Sequence, residues 1–154
     1  MGGRLDAVAG VPGDPKTIYL GHSSGGLWKS VDGGLTFTSI FESGSSSAVG
    51  AIAIDPRDSK RLYIGTGEAF PRNTADYGDG LWTSADAGKH WRHLGFERGA
   101  SIAKIAVDPA NSRTILVAVM GSEFAPCSER TRFPSPQLKS FANLQDPPPS
   151  SQCL

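Results

Sequence analysis

Five residues with chemically versatile side chains lie within one short stretch of the chain, namely Glu68, Arg72, Asp76, Tyr77 and Asp79. Carboxylates accept hydrogen bonds, and an arginine can hold a carboxylate through two parallel hydrogen bonds. We therefore predict a binding site here for a carbohydrate, for a peptide or, through Arg72, for a carboxylate. The alternative is that Glu68 and Arg72 form an ion pair that only stabilises the loop.

The carboxylates of this stretch do not by themselves indicate catalysis. Hydrolysis of a glycosidic bond needs two carboxyl groups at a defined separation of about 5–10 Å, and a sequence does not supply that distance. His90 and His93 lack a third ligand at metal spacing, and the Gly-rich segment after His22 lacks the Lys-Ser/Thr pair of a phosphate-binding loop. We predict no catalytic residue, no metal and no cofactor.

The stretch interrupts an internal repeat. Pro12, Pro56 and Pro109 each begin the pattern Pro-x-(Asp/Asn)-x-(Lys/Arg)-x followed by three apolar residues. A second pattern, Gly-Leu-Trp-x-Ser-x-Asp-x-Gly-x-x-aromatic, occurs at 26–37 and again at 80–91. Self-similarity at such a period is the signature of repeat architectures.

Each repeat divides into four short apolar runs separated by turn residues. In the second copy we predict strands at 49–54, 61–65, 80–84 and 90–94, and no stretch shows a helical period. Four strands in 44 to 53 residues, the spacings of the three prolines, are typical of a β-propeller blade. The predicted fold is all-β: a partial β-propeller with two complete four-stranded blades and a partial third.

The predicted domain boundaries follow the repeats. We assign 1–44 to blade 1, 45–98 to blade 2 and 99–130 to a partial blade 3, with a divergent, disordered tail at 131–154.

The candidate binding residues lie in an insertion at 66–79 of the second repeat. Tyr19 and Trp28 are 9 positions apart, whereas the equivalent Tyr63 and Trp82 are 19 apart. Because strands in a blade alternate in direction, this loop leaves the sheet on the same face as the blade-to-blade crossovers. Loops over a rigid scaffold often carry binding residues.

The repeated turns at 30–37 and 84–91 favour a structural role for their aspartates. A turn carboxylate can accept backbone hydrogen bonds, glycine supplies a positive φ, and an aromatic residue starts the next strand. Asp32 and Asp86 could instead be catalytic, but a turn present in every blade does not define a single active site. The predicted structural residues are Ser30, Asp32, Gly34, Phe37, Ser84, Asp86, Gly88 and Trp91.

The two repeated tryptophans, Trp28 and Trp82, allow two interpretations. Their equivalent positions favour packing within or between blades over a stacking platform for sugars.

The turn pattern resembles the Asp-box, or BNR, repeat. From about Gly3 to Arg130 the chain is similar to large bacterial Asp-box propellers, which resemble the sortilin propeller and are often labelled BNR-repeat glycosyl hydrolases. The runs 65–68 and 77–80, together with Arg72, carry this likeness. It implies a non-catalytic scaffold for protein or glycan recognition, or alternatively part of a secreted glycoside hydrolase. No sialidase arginine triad or defined catalytic aspartate pair is matched.

The pattern breaks after Arg130, where residues 131–138 replace the expected third turn. We interpret them as a scrambled box, such as a frame shift would produce, which leaves a nonfunctional gene product as a third possibility. The pattern returns at 139–144, a run that resembles 35–40 and 89–94, where we predict the fourth strand of a blade.

Composition limits the partners of the chain. Lys plus Arg and Asp plus Glu are both 15, so the formal net charge is zero, which argues against nucleic acid. No apolar run approaches the roughly 20 residues of a membrane-spanning helix. Because a propeller needs about four to eight blades, we expect a fragment whose remaining blades belong to a longer protein. The resemblance implies a secreted or periplasmic protein, although residues 1–6 lack the apolar core of a signal peptide.

Overall fold

The computed structural model describes residues 4–41, 47–68, 78–96, 101–120 and 137–141. Within these ranges every regular element is a β-strand. Sheet 1 consists of β1 (Leu5–Val11), β2 (Asp14–His22), β3 (Gly26–Ser30) and β4 (Thr38–Phe41). Sheet 2 consists of β5 (Val49–Asp55), β6 (Asp58–Thr66), β7 (Leu81–Ser84) and β8 (Arg92–Gly95). Sheet 3 consists of β9 (Ser101–Val107), β10 (Ile115–Met120) and β11 (Gln137–Phe141).

Sheets 1 and 2 have the same antiparallel order, each strand pairing with the next in the chain. Their registers match as well, since Ala9 pairs with Tyr19 in sheet 1 and Ala53 pairs with Tyr63 in sheet 2. The prediction of an all-β partial propeller with two complete four-stranded sheets is confirmed.

Apolar side chains hold the three sheets face to face. One cluster lies between sheets 1 and 2, and the other lies between sheets 2 and 3. The first cluster comprises Tyr19, Leu27, Phe41, Val49, Leu62 and Ile64. The second comprises Ala51, Tyr63, Leu81, Ile102, Ile105, Ile115 and Val117. Strand β5 contacts both β1 and β9, so the first strands of the sheets lie side by side along one edge of the stack.

Two equivalent glycines permit this close approach. A Cβ on Gly65 would lie 2.3 Å from a methyl carbon of Ile102, and one on Gly21 would lie 2.7 Å from the Val49 carbonyl oxygen. Any side chain at either position would push the next sheet away.

We call the segments Ser30–Phe37 and Ser84–Trp91 the aspartate turns. In the first turn, Ser30 Oγ donates to Asp32 at 2.7 Å and accepts from the Gly34 N–H at 2.8 Å. The Asp32 carboxylate accepts from the Thr36 N–H at 2.9 Å and from the Thr36 hydroxyl at 2.6 Å. These contacts close the turn with its own side chains.

The second turn repeats the arrangement. Ser84 Oγ donates to Asp86 at 2.8 Å and accepts from the Gly88 N–H at 2.9 Å. Asp86 accepts from the Lys89 and His90 N–H groups, and its other oxygen lies 2.5 Å from His90 Nδ1. The two aspartates therefore have closely similar surroundings.

The second aspartate turn also rests on sheet 1. Lys29 Nζ donates to the Ala87 carbonyl at 3.2 Å, and Trp91 Nε1 donates to the Ile40 carbonyl at 2.9 Å. Phe41 makes edge-to-face contacts with Trp91 and Trp82, with ring centroids 5.3 and 5.4 Å apart. Trp82 thus packs between the sheets.

Trp28, the counterpart of Trp82, is half-buried and donates its ring N–H to the Gly25 carbonyl at 2.7 Å.

Sheet 3 differs from the prediction at its last strand. Gln137–Phe141 lies in the segment predicted to be disordered, yet these residues pair with β10 in the order β11-β10-β9. The strand occupies the third position of the sheet, so the comparison of 139–144 with the approach to a fourth strand was wrong. The open edge of β10 offers unpaired backbone groups that an extended segment can satisfy. The rest of 131–154 lies outside the described residues.

The two turns differ at one position that tests their equivalence. Gly33 has φ of 78° and Ala87 has φ of 61°, and their N–H groups donate to the carbonyls of Lys16 and Lys60. A left-handed conformation disfavours a residue with a Cβ by about 1–2 kcal/mol.

We therefore expect Ala87→Gly to raise the free energy of unfolding by about 0.5–1 kcal/mol, and Gly33→Ala to lower it by about 1 kcal/mol. An added Cβ on Gly33 meets nothing within 4 Å, so only backbone strain would act. Urea denaturation measures both changes. Effects of the same sign would contradict the equivalence of the turns.

The aspartate turns also predict acid sensitivity. Hydrogen bonds from Thr36 lower the pKa of Asp32, and hydrogen bonds from His90 lower that of Asp86. A carboxyl whose folded-state pKa is depressed stabilises the fold above its unfolded pKa of about 3.9, and this stabilisation fades as the pH falls further.

We expect Asp32→Asn and Asp86→Asn each to lower the melting temperature at pH 7 and to flatten its decline between about pH 4 and pH 2. Asp58→Asn is the matched control, since that carboxylate accepts a backbone hydrogen bond from Lys60 in a different turn. Acid profiles of the turn variants that run parallel to the unsubstituted protein would refute the assignment.

Candidate functional site

The candidate site lies on what we call the crossover face, the end of the sheets that carries the β2–β3 and β6–β7 connections and the passages between sheets. Backbone hydrogen bonds fix its described segments. The Gly26 N–H donates to the Ser47 carbonyl at 2.7 Å, and the Gly67 N–H donates to the Ala48 carbonyl at 3.0 Å. The passage from sheet 1 to sheet 2 is thus tied to the hairpin that precedes it and to the one that follows it.

Of the five predicted site residues, the structure describes two. Glu68 lies two residues after the end of β6, and Asp79 lies two residues before the start of β7. Arg72, Asp76 and Tyr77 lie outside the described residues.

Glu68 belongs to a charged cluster that joins sheets 1 and 2. Arg4 Nη2 donates to Glu68 Oε1 at 2.8 Å, and Arg4 Nε donates to Asp6 Oδ1 at 2.7 Å. The Asp6 side chain is 1% exposed and that of Glu68 is 11% exposed, while Arg4 is 30% exposed. The hydrogen bond to Asp6 is the main cause of the raised pKa of Arg4. The structure therefore gives Glu68 an ion-pair partner other than Arg72.

The second carboxylate oxygen of Glu68 is a buried acceptor. Glu68 Oε2 makes no hydrogen bond with any residue in the part of the chain that the structure describes. A buried acceptor without a partner costs about 1–3 kcal/mol, and more for a charged group. This oxygen is therefore a buried acceptor that the described residues leave without a donor.

Asp79 has contacts of a different kind, which anchor the base of the loop. Thr66 Oγ1, fully buried, accepts from the N–H groups of Asp79 at 2.9 Å and Gly80 at 2.8 Å. Asp79 Oδ1 lies 2.9 Å from the Thr66 hydroxyl and accepts from Trp82 Nε1 at 3.0 Å. His93 Nε2 lies 2.7 Å from the Asp79 carbonyl oxygen. Both ends of the insertion are thus fixed to sheet 2.

Buried hydroxyl groups add to the polar character of the crossover face. Ser23 and Ser101 are 8% and 9% exposed, and the Ser23 N–H donates to the Arg4 carbonyl at 3.0 Å. The face thus combines one arginine, two carboxylates bonded to it and nearby hydroxyls.

Sequence reasoning missed Arg4, Asp6 and Thr66. A signal was present for Asp6, because the repeat aligns it with Gly50 and Ala103. A carboxylate at a position where the other repeats have small residues is expected to be buried, and a buried carboxylate needs a cation to pair with. Arg4 lies two residues before Asp6 and provides one.

Metal-binding clusters and membrane-spanning helices are both absent from the described residues. No group of three His, Cys, Asp or Glu residues among them could hold a metal ion. No helix within the described part of the chain is long and apolar enough to cross a membrane.

Comparison with known proteins gives structural likeness alone. No protein-family model matches the chain, and none of the curated proteins matches it. The GH74 xyloglucanase of Xanthomonas campestris superposes with a TM-score of 0.64 and 18% identity, covering 98% of this chain and 23% of that enzyme. The GH74 enzyme of Niastella koreensis gives 0.60 and 21%, covering 75% and 17%.

A third solved structure comes from another class of protein. YCF48 from Cyanidioschyzon merolae superposes with a TM-score of 0.56 and 18% identity, covering 79% of this chain and 36% of that protein. The chain therefore spans less than half the length of each of these structures. At such identities the likeness establishes the fold, and the described sheets of this chain are those of a β-propeller.

Proposed function

We propose that this chain is a non-catalytic segment of an Asp-box β-propeller and binds a protein or glycan ligand through its crossover face. In this proposal the aspartate turns are Asp-boxes that stiffen the scaffold, and the blades are those at 1–44, 45–98 and 99–130. The remaining blades belong to a longer propeller.

The observation that carries the proposal is the buried, unpartnered Oε2 of Glu68. A sugar hydroxyl or a peptide N–H would satisfy this acceptor and recover the cost of its burial. The hydroxyls of Ser23 and Ser101 lie on the same face and could accept or donate further hydrogen bonds. Arg72, Asp76, Tyr77 and Asp79 remain proposed ligand-binding residues.

The contacts of the described carboxylates favour binding over hydrolysis. Acid catalysis on a glycoside needs a carboxyl group that gives up a proton beside a second that is ionised. Asp6 and Glu68 each accept a charge-assisted hydrogen bond from Arg4. Asp79 Oδ1 is bonded to the Trp82 ring N–H. All three carboxylates are thus engaged as hydrogen-bond acceptors within the scaffold.

The second candidate is a segment of a glycoside hydrolase. The fold likeness to GH74 xyloglucanases favours this candidate, and the residues that would catalyse the reaction would come from other blades. An assay of sugar release from xyloglucan distinguishes hydrolysis from binding alone.

The test is a screen of the chain against a glycan array and a peptide array. Hits are then titrated calorimetrically with the unsubstituted chain and with Glu68→Gln. Loss of the charged acceptor is expected to weaken binding by about tenfold or more, since hydrogen bonds to charged groups contribute about 1.5–3 kcal/mol.

Asp58→Asn, at the opposite end of sheet 2, serves as the control and should leave binding unchanged. Circular dichroism on each variant verifies folding. Absence of hits on both arrays, or a hit that binds Glu68→Gln equally well, would refute recognition at this face. Release of sugar from a bound glycan would establish the hydrolase candidate instead.

A further inference from the structure

A cavity of about 350 Å³ lies beside the second aspartate turn, at the end of sheet 2 opposite the crossover face. It is lined by Arg61 and Tyr63 of β6, by Arg92 at the start of β8 and by Trp91 just before it. We call it the arginine cavity. Every described residue that lines it belongs to sheet 2 or to the second aspartate turn, so this set of donors does not depend on a neighbouring blade. Ligand pockets measure about 300–1,000 Å³, so the cavity admits a small ligand.

Two hydrogen-bond donors that line the arginine cavity are buried and lack an acceptor. Tyr63 is 1% exposed, and its hydroxyl makes no hydrogen bond with any described residue. Arg61 Nε is also buried and has no hydrogen-bond partner among the described residues, since the Asp58 carboxylate lies 3.9 Å away. A buried donor without an acceptor costs stability. An acceptor bound in the cavity would supply what both donors lack.

Both arginines interrupt the repeat. Arg61 corresponds to Thr17 in the first repeat and to Thr114 in the third. Arg92 corresponds to Thr38 of the first repeat. Sheet 1 packs against sheet 2 with threonine at both positions, so packing between sheets does not require a cation at either one.

The two arginines lie close to the unpartnered hydroxyl. Burial raises the pKa of Tyr63, and the positive charges of Arg61 and Arg92 act in the opposite direction. Both guanidinium groups are therefore near enough to the Tyr63 hydroxyl to influence its ionisation. Two positive charges beside a buried hydroxyl donor favour an anionic ligand.

The carboxylates near the arginine cavity have partners of their own. Asp86 lines the cavity, and both of its oxygens are engaged by groups of the second aspartate turn. Asp55, whose charge also raises the pKa of Tyr63, accepts from the Arg57 N–H at 2.9 Å and from the Ser112 hydroxyl at 2.8 Å. In the described part of the chain, neither carboxylate is hydrogen-bonded to the arginines that line the cavity.

We propose that the arginine cavity binds the oxyanion group of a small ligand, either a carboxylate or a sulfate. Arg61 and Arg92 supply charge-assisted hydrogen bonds, and Tyr63 donates its hydroxyl to the same group. Trp91 gives the cavity an apolar wall against which the body of the ligand packs. The cavity lies at the other end of sheet 2 from the crossover face, so this proposal can fail while ligand binding at the crossover face stands.

The test is an NMR titration of the isotopically labelled chain with glucuronate, glucose and sodium sulfate at constant ionic strength. Glucose is the matched neutral probe, because it has the same ring without the carboxylate. Both anions are expected to shift the amide signals of Thr83, Ala85 and Arg92 in a saturable way, and glucose is expected to leave them unchanged. Tighter binding of glucuronate would identify the ligand group as a carboxylate, and tighter binding of sulfate would identify it as a sulfate.

Tyr63→Phe removes only the hydroxyl from the cavity. It is expected to weaken anion binding by about tenfold or more, because a hydrogen bond to a charged group is lost. The melting temperature should stay the same or rise, since the lost hydroxyl is buried without a partner. Tyr19→Phe is the matched control. Tyr19 is the counterpart of Tyr63 in sheet 1 and is also 1% exposed, so this change should leave anion binding unchanged.

Arg61→Thr gives the second repeat the residue that the other two repeats have at this position. It is expected to weaken anion binding by about tenfold or more, because a charged donor is lost. Lys60→Thr removes the same charge from an exposed neighbouring residue outside the cavity lining, and it should leave binding unchanged.

Three results would overturn the proposal. One is the absence of a saturable shift of the cavity signals with either anion. Another is an equal response to glucose. The third is anion binding that Arg61→Thr and Tyr63→Phe weaken no more than their controls do.

Discussion

Contact between sheet faces is the constraint on which this structure depends. A four-stranded sheet with apolar residues on both faces cannot stand alone in water, because each buried side chain of this size contributes about 1.5–3 kcal/mol only when it is covered. Tyr63 and Leu62 are neighbours on β6 and face opposite sheets, and both are almost fully buried. Sheet 2 is therefore stable because it has a neighbour on each side. Among the described residues, sheets 1 and 3 each pack against one other sheet.

The aspartate turns contribute by keeping the hairpins rigid enough to pack. In each turn a serine and an aspartate satisfy backbone N–H groups that would otherwise need water. The second turn can then lie against sheet 1, where Lys29 and Ile40 contact it. The side-chain hydrogen bonds that close each turn all lie within the turn itself.

Much of this arrangement could be predicted because repetition reveals it. The strands, their register and the turns each occur twice, so the first repeat can be compared with the second within one sequence. Repetition also indicated which face the insertion leaves. It gave no information about features that occur once, such as the pairing of Arg4 with both Asp6 and Glu68, which depends on how sheet 1 meets sheet 2. The position of β11 in sheet 3 was predicted wrongly for a similar reason. Alternating apolar residues indicate that a segment forms a strand, but they do not indicate which strand it pairs with.

Polar residues that occur in both sheets and polar residues that occur only once have different kinds of contact, and this difference is relevant to function. Residues that recur in both sheets, including the turn aspartates and the tryptophans of β3 and β7, have contacts that the fold itself requires. Asp6 and Glu68 have no matching carboxylate in the other repeats. Both accept a hydrogen bond from Arg4 at the crossover face, and Glu68 Oε2 has no partner among the described residues. Among the described residues, Glu68 Oε2 shares the lack of a hydrogen-bond partner with Tyr63 OH and Arg61 Nε, and a buried polar atom of this kind costs stability. In the proposed function, a hydrogen bond donated by the ligand to Glu68 would offset this cost.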